Sequence, residues 1–253
     1  MSIPRNKIVN YLDAFLQIDK IKDSSCNGLQ VEGVKTVKRI GLAVDACMAV
    51  YRKAAALGCQ MILVHHGMIW NGLTNIRGAL KEQVKFLLGK GINLYAAHLP
   101  LDMHYDVGNN AVLARRLGLG SVEPFGEYRG YRIGCRGVLP LPLSVAELGR
   151  ACKKIVGGGA CTTLPFGRKK CGTVAIVSGG GSDAIPEAVE RGIDCFVTGE
   201  PAHWNHHAAL EARLNVLYLG HYHSETLGVK AVGKKLTKEF DAETVFIDEP
   251  TRV

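Results

Sequence analysis

Short, almost unbroken apolar runs alternate with helical stripes along this chain, and that alternation leaves few folds open. RIGLAV (39–44), MILV (61–64) and INLYAA (92–97) are brief and apolar throughout, as strands buried on both faces must be. Strands of that kind belong to a parallel sheet covered by helices on both sides. Between them, Ala46 to Leu57 places Val50, Ala54 and Leu57 on one helical face before Gly58, and a further helix spans Leu80 to Leu88, so the spacing predicts β-α-β-α-β. Upstream, Asn6 to Gln17 has apolar residues at 8, 9, 12, 15 and 16, which predicts a capped amphipathic helix.

The second half repeats the plan. TVAIV (173–177), a glycine loop, a helix from Ala184 to Arg191, DCFVTGE (194–200), a helical stretch from His203 to Arg213 and NVLYLG (215–220) follow in order. A helix with Val229, Val232, Leu236 and Phe240 on one face then precedes a strand-like VFI. Ile40 lies about as far before His65 as Val174 lies before Glu200, a spacing that suggests internal duplication. The expected fold is therefore α/β: two similar α/β lobes with mostly parallel sheets, strand ends facing a shared metal cleft. The first lobe is expected over 1–120, closed by contributions from the C-terminus, and the second over 121–253. Residues 121–170, with Pro124, Pro140, Pro142, Pro165 and the glycines at 157–159, read as part of the second lobe plus its linker.

Composition narrows the function classes. With 253 residues, 47% hydrophobic and 21% charged, the chain is a folded globular protein. No apolar run approaches the ~20 residues of a membrane span, and no signal-peptide core is present, so a cytoplasmic, membrane-free protein is expected. Its eight cysteines form no C-x-x-C pair and read as reduced thiols. The net charge of +8 favours anionic partners, but only RKK (168–170) and KK (234–235) cluster, without interleaved aromatics. A small anionic or nucleotide substrate suits that scatter better than nucleic acid does.

Two apolar runs end alike. INLYAAHLPLD delivers His98 and, four residues later, Asp102, while NVLYLGHYHSE delivers His221 and Glu225. A third run, MILVHHG, ends in His65 and His66. Imidazole and carboxylate at strand ends are the donors of a divalent-metal site, and Asp102 and Glu225 could each bridge two cations. Side chains alternate along a strand, so His65 and His66 meet one site only if the chain turns at Gly67. The alternative is that one ligates while the other hydrogen-bonds a backbone carbonyl. Glu200, read as occupying the place of His65 in the second repeat, is positioned to orient a ligand or move a proton. His203, His206 and His207 fit an exposed polar face as well as a supporting role around ligands. The SGGGSD loop (178–183) resembles an anion nest, although the P-loop and dinucleotide fingerprints are absent.

HHGMIW (65–70), AHLPLD (97–102), NGLQVEG (27–33), TGE (198–200) and GHYHSE (220–225) together resemble the motif set of the dinuclear-metal family called NIF-three-like or YbgI-like, also described as GTP cyclohydrolase type 2-like. The resemblance runs over nearly the whole chain. It implies two divalent metal ions per chain, with His65, His66, Asp102, His221 and Glu225 as ligands and His98 beside them; imidazole and carboxylate donors without thiolate suit Zn, Fe, Mn or Ni. It also implies a toroidal homohexamer, a trimer of dimers, with GTP cyclohydrolase type 2-like chemistry; in a hydrolase acting on a nucleotide-like substrate, the catalytic residues expected to shuttle a proton are His98 or Glu200. A non-catalytic metal-binding or scaffold ring, or a metal-dependent phosphoesterase, would use the same donors. This chain departs from the family in having Leu99 and Pro100 where Thr-Asn is usual, and TGE where TGD is common. Those changes spare the ligands but remove polar groups within reach of a substrate.

Overall fold

The computed structural model describes residues 2–72 and 75–251. In chain order its elements begin with β1 (Ile3–Pro4), α1 (Arg5–Leu16), β2 (Gly28–Val31), β3 (Thr36–Val37), β4 (Arg39–Asp45), α2 (Met48–Ala56), β5 (Met61–His66), α3 (Gly78–Lys90), β6 (Asn93–Ala96) and α4 (Leu99–Asp102). Next come α5 (Asn109–Leu117), β7 (Gly120–Tyr128), β8 (Tyr131–Leu143), α6 (Val145–Val156), β9 (Thr162–Pro165), β10 (Cys171–Val177), a 3-10 turn (Gly181–Ala184) and α7 (Ile185–Glu190). The chain ends with β11 (Cys195–Thr198), α8 (Asn205–Glu211), β12 (Asn215–Tyr218), α9 (His221–Ser224), α10 (Thr226–Phe240) and β13 (Glu243–Phe246). Two compact units result: Met1–Leu101 with Gly228–Glu249, and Asp102–Leu227 with Pro250–Val253.

The first unit holds a sheet in the order β13-β4-β5-β6-β2, in which only β2 runs antiparallel. The near-continuous apolar runs became its central strands, because Ile62, Val64, Leu94 and Ala96 pack against Val50, Tyr51 and Ala54 of α2. Leu57, placed on that face by its spacing, is 40% exposed, since α2 ends one residue earlier. On α1, Ile8, Leu12 and Leu16 form the buried stripe, but Pro4 at its N-cap makes no side-chain hydrogen bond, so the helix starts without the expected cap.

In the second unit the order is β7-β8-β10-β11-β12-β9. Here β10, β11 and β12 are parallel, while β7, β8 and β9 pair antiparallel, so the sheet is mixed. Residues 121–170 contain no linker: they form the β7–β8 hairpin, α6 and β9. Their prolines sit where a strand can lose an N–H. Pro124 and Pro165 lie on the edge strands β7 and β9, and Pro140 and Pro142 fall where the β8–β10 register breaks.

Five helix-to-strand returns use one device. Cys59, Ile92, Leu119, Ile193 and Leu214 each donate their N–H to the carbonyl five residues back (2.9–3.0 Å), after a left-handed residue at Gly58, Gly91, Gly118, Gly192 or Arg213. That turn stops the helix and aims the chain into the next strand. All eight cysteines are free thiols. Among the described residues no helix is long and apolar enough to cross a membrane.

Candidate functional site

In the first unit, β5 carries His65 and His66 to its C-terminal end, and the residue two places beyond β6 is His98. The ring centroids of His65 and His66 are 4.7 Å apart, and that of His98 lies 5.1 Å and 5.6 Å from theirs. One nitrogen from each ring falls within 4.8 Å of the others. The chain leaves the strand at Gly67, where a Cβ would meet Gln30 Oε1 at 2.6 Å. That oxygen accepts the Met68 N–H at 2.7 Å, so Gln30 of the NGLQVEG motif pins the loop after the histidines.

Each ring is held through Nδ1 by an oxygen that can only accept. His65 Nδ1 is 2.9 Å from Ala97 O, His66 Nδ1 is 2.7 Å from Asp45 Oδ1, and His98 Nδ1 is 3.0 Å from Asp23 Oδ1. Nδ1 must therefore carry hydrogen in the neutral rings, which leaves the lone pair on Nε2. Metal-ligating histidines are oriented in this way, so the donor chemistry fits a divalent cation. The two readings weighed for the adjacent histidines coexist in one ring, since His65 hydrogen-bonds a carbonyl and still presents Nε2.

Asp23 is the anchor that sequence reasoning missed. Its side chain is 2% exposed and accepts hydrogen bonds from Ser25 N, Asn27 Nδ2 and Leu99 N at 3.0–3.1 Å. Burial pushes its carboxyl up, but the His98 hydrogen bond and charge, with Asn27 and Ser25, outweigh it and hold the pKa at about 2. Asp45 was also missed. Its signal was available: a carboxylate ends the apolar run of β4, on the strand beside the histidines.

The second unit builds its donors on the turn after β12. Gly220, at φ 83°, starts α9, so that His221 and Glu225 stand four residues apart with Nε2 and Oε2 at 3.2 Å. Glu200 Oε2 lies 3.0 Å from the other ring nitrogen, Nδ1. Burial lowers the His221 pKa, yet the hydrogen bonds and charges of Glu225 and Glu200 win and raise it to about 9. Two atoms each ~2.1 Å from one cation are separated by a distance of this order, so a divalent ion could take the place of the Nε2 proton. Of its two suggested roles, Glu200 has the contact of the orienting one. Strand pairing sets Val64 beside Ala96 and Thr198 beside Tyr218, so Glu200 occupies the place of His66, and Gly199 that of His65. The sequence-based equivalence was one residue out.

Asp102 is 8% exposed, and its Oδ1 accepts Asn109 Nδ2 at 2.8 Å and Ser178 Oγ at 3.0 Å. The first two N–H groups of the SGGGSD loop are taken within the protein. Ser178 N donates to Asn110 Oδ1 (2.7 Å) and Gly179 N to Ser224 Oγ (2.9 Å). A Cβ on Gly180 would lie 3.4 Å from Glu200 Oε1, and one on Gly179 3.1 Å from His221 Nε2, so the loop is a bare wall for these two side chains. His203, His206 and His207 are all exposed, and His206 packs edge-on against Phe166 at 5.2 Å.

The model of the family Duf34/NIF3 (NGG1p interacting factor 3) matches residues 3–252. The chain belongs to that family. It is 44% identical over 247 residues, 98% of each chain, to an Archaeoglobus fulgidus protein named GTP cyclohydrolase 1 type 2 homolog. An Escherichia coli protein of the same name is 37% identical over 234 residues, 91% of this chain and 92% of its own. Among solved structures, TTHA1606 from Thermus thermophilus superposes with a TM-score of 0.92 at 41% identity, covering 99% of this chain and 100% of that one. The stretches quoted from the sequence include residues that hold others in place: Asn27 and Gln30 in NGLQVEG accept the His98 and Met68 N–H groups, and Glu200 in TGE contacts the His221 ring.

Proposed function

We propose that this Duf34/NIF3 protein is a hydrolase of nucleotide-like substrates that works with two divalent metal ions. His65, His66, Asp102, His221 and Glu225 serve as ligands, and His98 and Glu200 handle protons. The observation that carries the reading is the uniform Nδ1 anchoring of His65, His66 and His98, which commits three Nε2 atoms to ligation or proton transfer. The names borne by its relatives point to the same class. When bound, the ions supply Lewis-acid polarisation and an acidified water. Imidazole and carboxylate donors suit Zn, Fe, Mn or Ni.

The chain's own contribution is orientation and proton handling. His98 Nε2 can accept a proton, and the imidazolium so formed is stabilised by Asp23, already ionised and only 3.0 Å from Nδ1. Glu200 holds the His221 ring in one tautomer. The same reading includes a cytoplasmic homohexamer, a trimer of dimers, supported by family membership.

Metal quantification after reconstitution, light scattering, and turnover of GTP, other nucleotides and phosphodiesters test this together. The expected result is about two metal equivalents per chain and activity that chelator abolishes and divalent metal restores. Activity should survive thiol alkylation. A fully metallated hexamer that turns over no nucleotide or phosphoester would overturn the hydrolase reading in favour of a metal-binding ring.

A further inference from the structure

A second opening lies at the end of β12, on the sheet face that α8 covers. It is a cleft of about 560 Å³ lined by Leu164, Pro201, His203, His206, His207 and Tyr218 among others, with no Lys, Arg, Asp or Glu in its lining. That size is far too large for an ion and falls within the range of small-molecule sites. Tyr218, the last residue of β12, pairs with Thr162 of β9 and is only 4% exposed. Its hydroxyl has no hydrogen-bond partner among the described residues, and burial is the one cause pushing its ionisation up. As part of the cleft lining, that phenol can hydrogen-bond a ligand's polar atom in place of water.

The lining chooses among ligands. A phosphate would call for cations or a cluster of N–H groups, and a sugar for carboxylates or amides; the cleft offers neither. An acyl chain would not match three imidazoles and a phenol. Rings that stack, the apolar side chains of Leu164 and Pro201, and uncharged donors and acceptors suit a flat, neutral ring with a polar edge.

We propose that this cleft binds the planar heteroaromatic ring of a nucleoside, with the Tyr218 hydroxyl hydrogen-bonding the ring edge and the imidazoles of His203 and His206 offering stacking surfaces. Pro201 directly follows Glu200, the carboxylate on His221, so the cleft and that carboxylate share one segment of chain. As a subsite for substrate the cleft rests on the hydrolase reading; as a binding site it does not need it.

The test uses full-length, chelator-treated protein and calorimetry, with guanosine as probe and ribose 5-phosphate and inorganic phosphate as controls. Guanosine should bind saturably with a dissociation constant below about 1 mM, and neither control should bind. Tyr218→Phe, which keeps the ring and the core, should weaken guanosine about fivefold. His203→Ala, at an exposed position that cannot unfold the core, should weaken it as well. Absence of saturable guanosine binding, equal affinity in both variants and wild type, or ribose 5-phosphate binding as tightly as guanosine would overturn the proposal. Because metal and turnover are absent from the assay, guanosine binding by a protein that hydrolyses nothing keeps the cleft and rejects only the hydrolase reading.

Discussion

The two units share a frame and use it in opposite ways. Each has three parallel strands in sequence order with an antiparallel strand beside the third, β2 in one and β9 in the other. Strand register equates Asp45 with Gly179, His65 with Gly199 and His66 with Glu200. The first unit thus puts imidazoles on its strand tip, oriented by oxygens from neighbouring loops and strands. The second strips two tips to glycine, because Glu225 and His221 crowd Gly179, and Ser224 Oγ would sit 2.8 Å from a Cβ on Gly199. Its donors come from the helical turn after the third strand. The frame fixes where donors gather, while the choice of glycine or side chain at each tip decides which element supplies them.

The largest effect should come from filling one of those bare tips. Gly179→Ala adds a Cβ at φ 61° that collides with Glu225 and lies 3.1 Å from His221 Nε2. It should cost about 2 kcal/mol or more and remove about one metal equivalent, read by denaturant unfolding and elemental analysis. Gly58→Ala is the control, since its φ is also positive (68°) but nothing lies within 4 Å of the new Cβ. It should cost about 1 kcal/mol and leave the metal content unchanged. Equal metal loss in the two variants would break the argument that Gly179 makes room for donors.

The orienting carboxylates should separate the units next. Asp23→Asn keeps the size of the group on His98 and removes its charge, so kcat should fall about tenfold or more while metal content holds. Glu200→Gln acts on His221, and the expected loss is about tenfold in metal affinity. If both variants lose metal to the same degree, the division between a proton-handling histidine and a ligating one fails.

How much of this was legible in the sequence follows from the same comparison. Parallel strands announce themselves as apolar runs, and a histidine that ends one is visible at once. The antiparallel strands β2, β7, β8 and β9 were missed, because they lie at or near the sheet edges with mixed burial and prolines. Asp23 was invisible for a different reason: it sits in a loop 75 residues from His98, and only the fold brings the two together. Glu200 was found but set one position out, since spacing along the chain cannot resolve strand register.

In metal-free protein the two units should respond to pH with opposite signs. The Asp23 pKa is depressed to about 2 from an ordinary 3.8, so its contribution is complete above 3.8 and is lost as pH falls toward 2, with a ceiling of about 2 kcal/mol. The His221 pKa is raised from 6.5 to about 9, so its contribution is complete below 6.5 and is lost as pH rises through 9. Urea midpoints across pH should fall at both ends, the acid limb flattening in Asp23→Asn and the alkaline limb in His221→Ala. An alkaline limb unchanged by His221→Ala would remove the charge-paired imidazole from the account.

The smallest effect contrasts how helices begin. α6 of the second unit opens on a capping box, in which Ser144 Oγ accepts the Glu147 N–H at 3.3 Å and Glu147 Oε2 accepts the Ser144 N–H at 2.7 Å. α1 of the first unit opens on Pro4, with no side-chain hydrogen bond at all. Ser144→Ala removes an acceptor for an N–H that the helix cannot satisfy internally, so about 1 kcal/mol of stability should be lost. Pro4→Ala removes no such acceptor, and the same cost should not arise. Because α6 offers none of the candidate donors, metal content and guanosine affinity should stay at wild-type values in Ser144→Ala. A metal loss there would mean that the packing of α6 helps to hold the turn carrying His221 and Glu225, which the hydrogen-bonded support of that turn by Gly179 and Ser224 argues against.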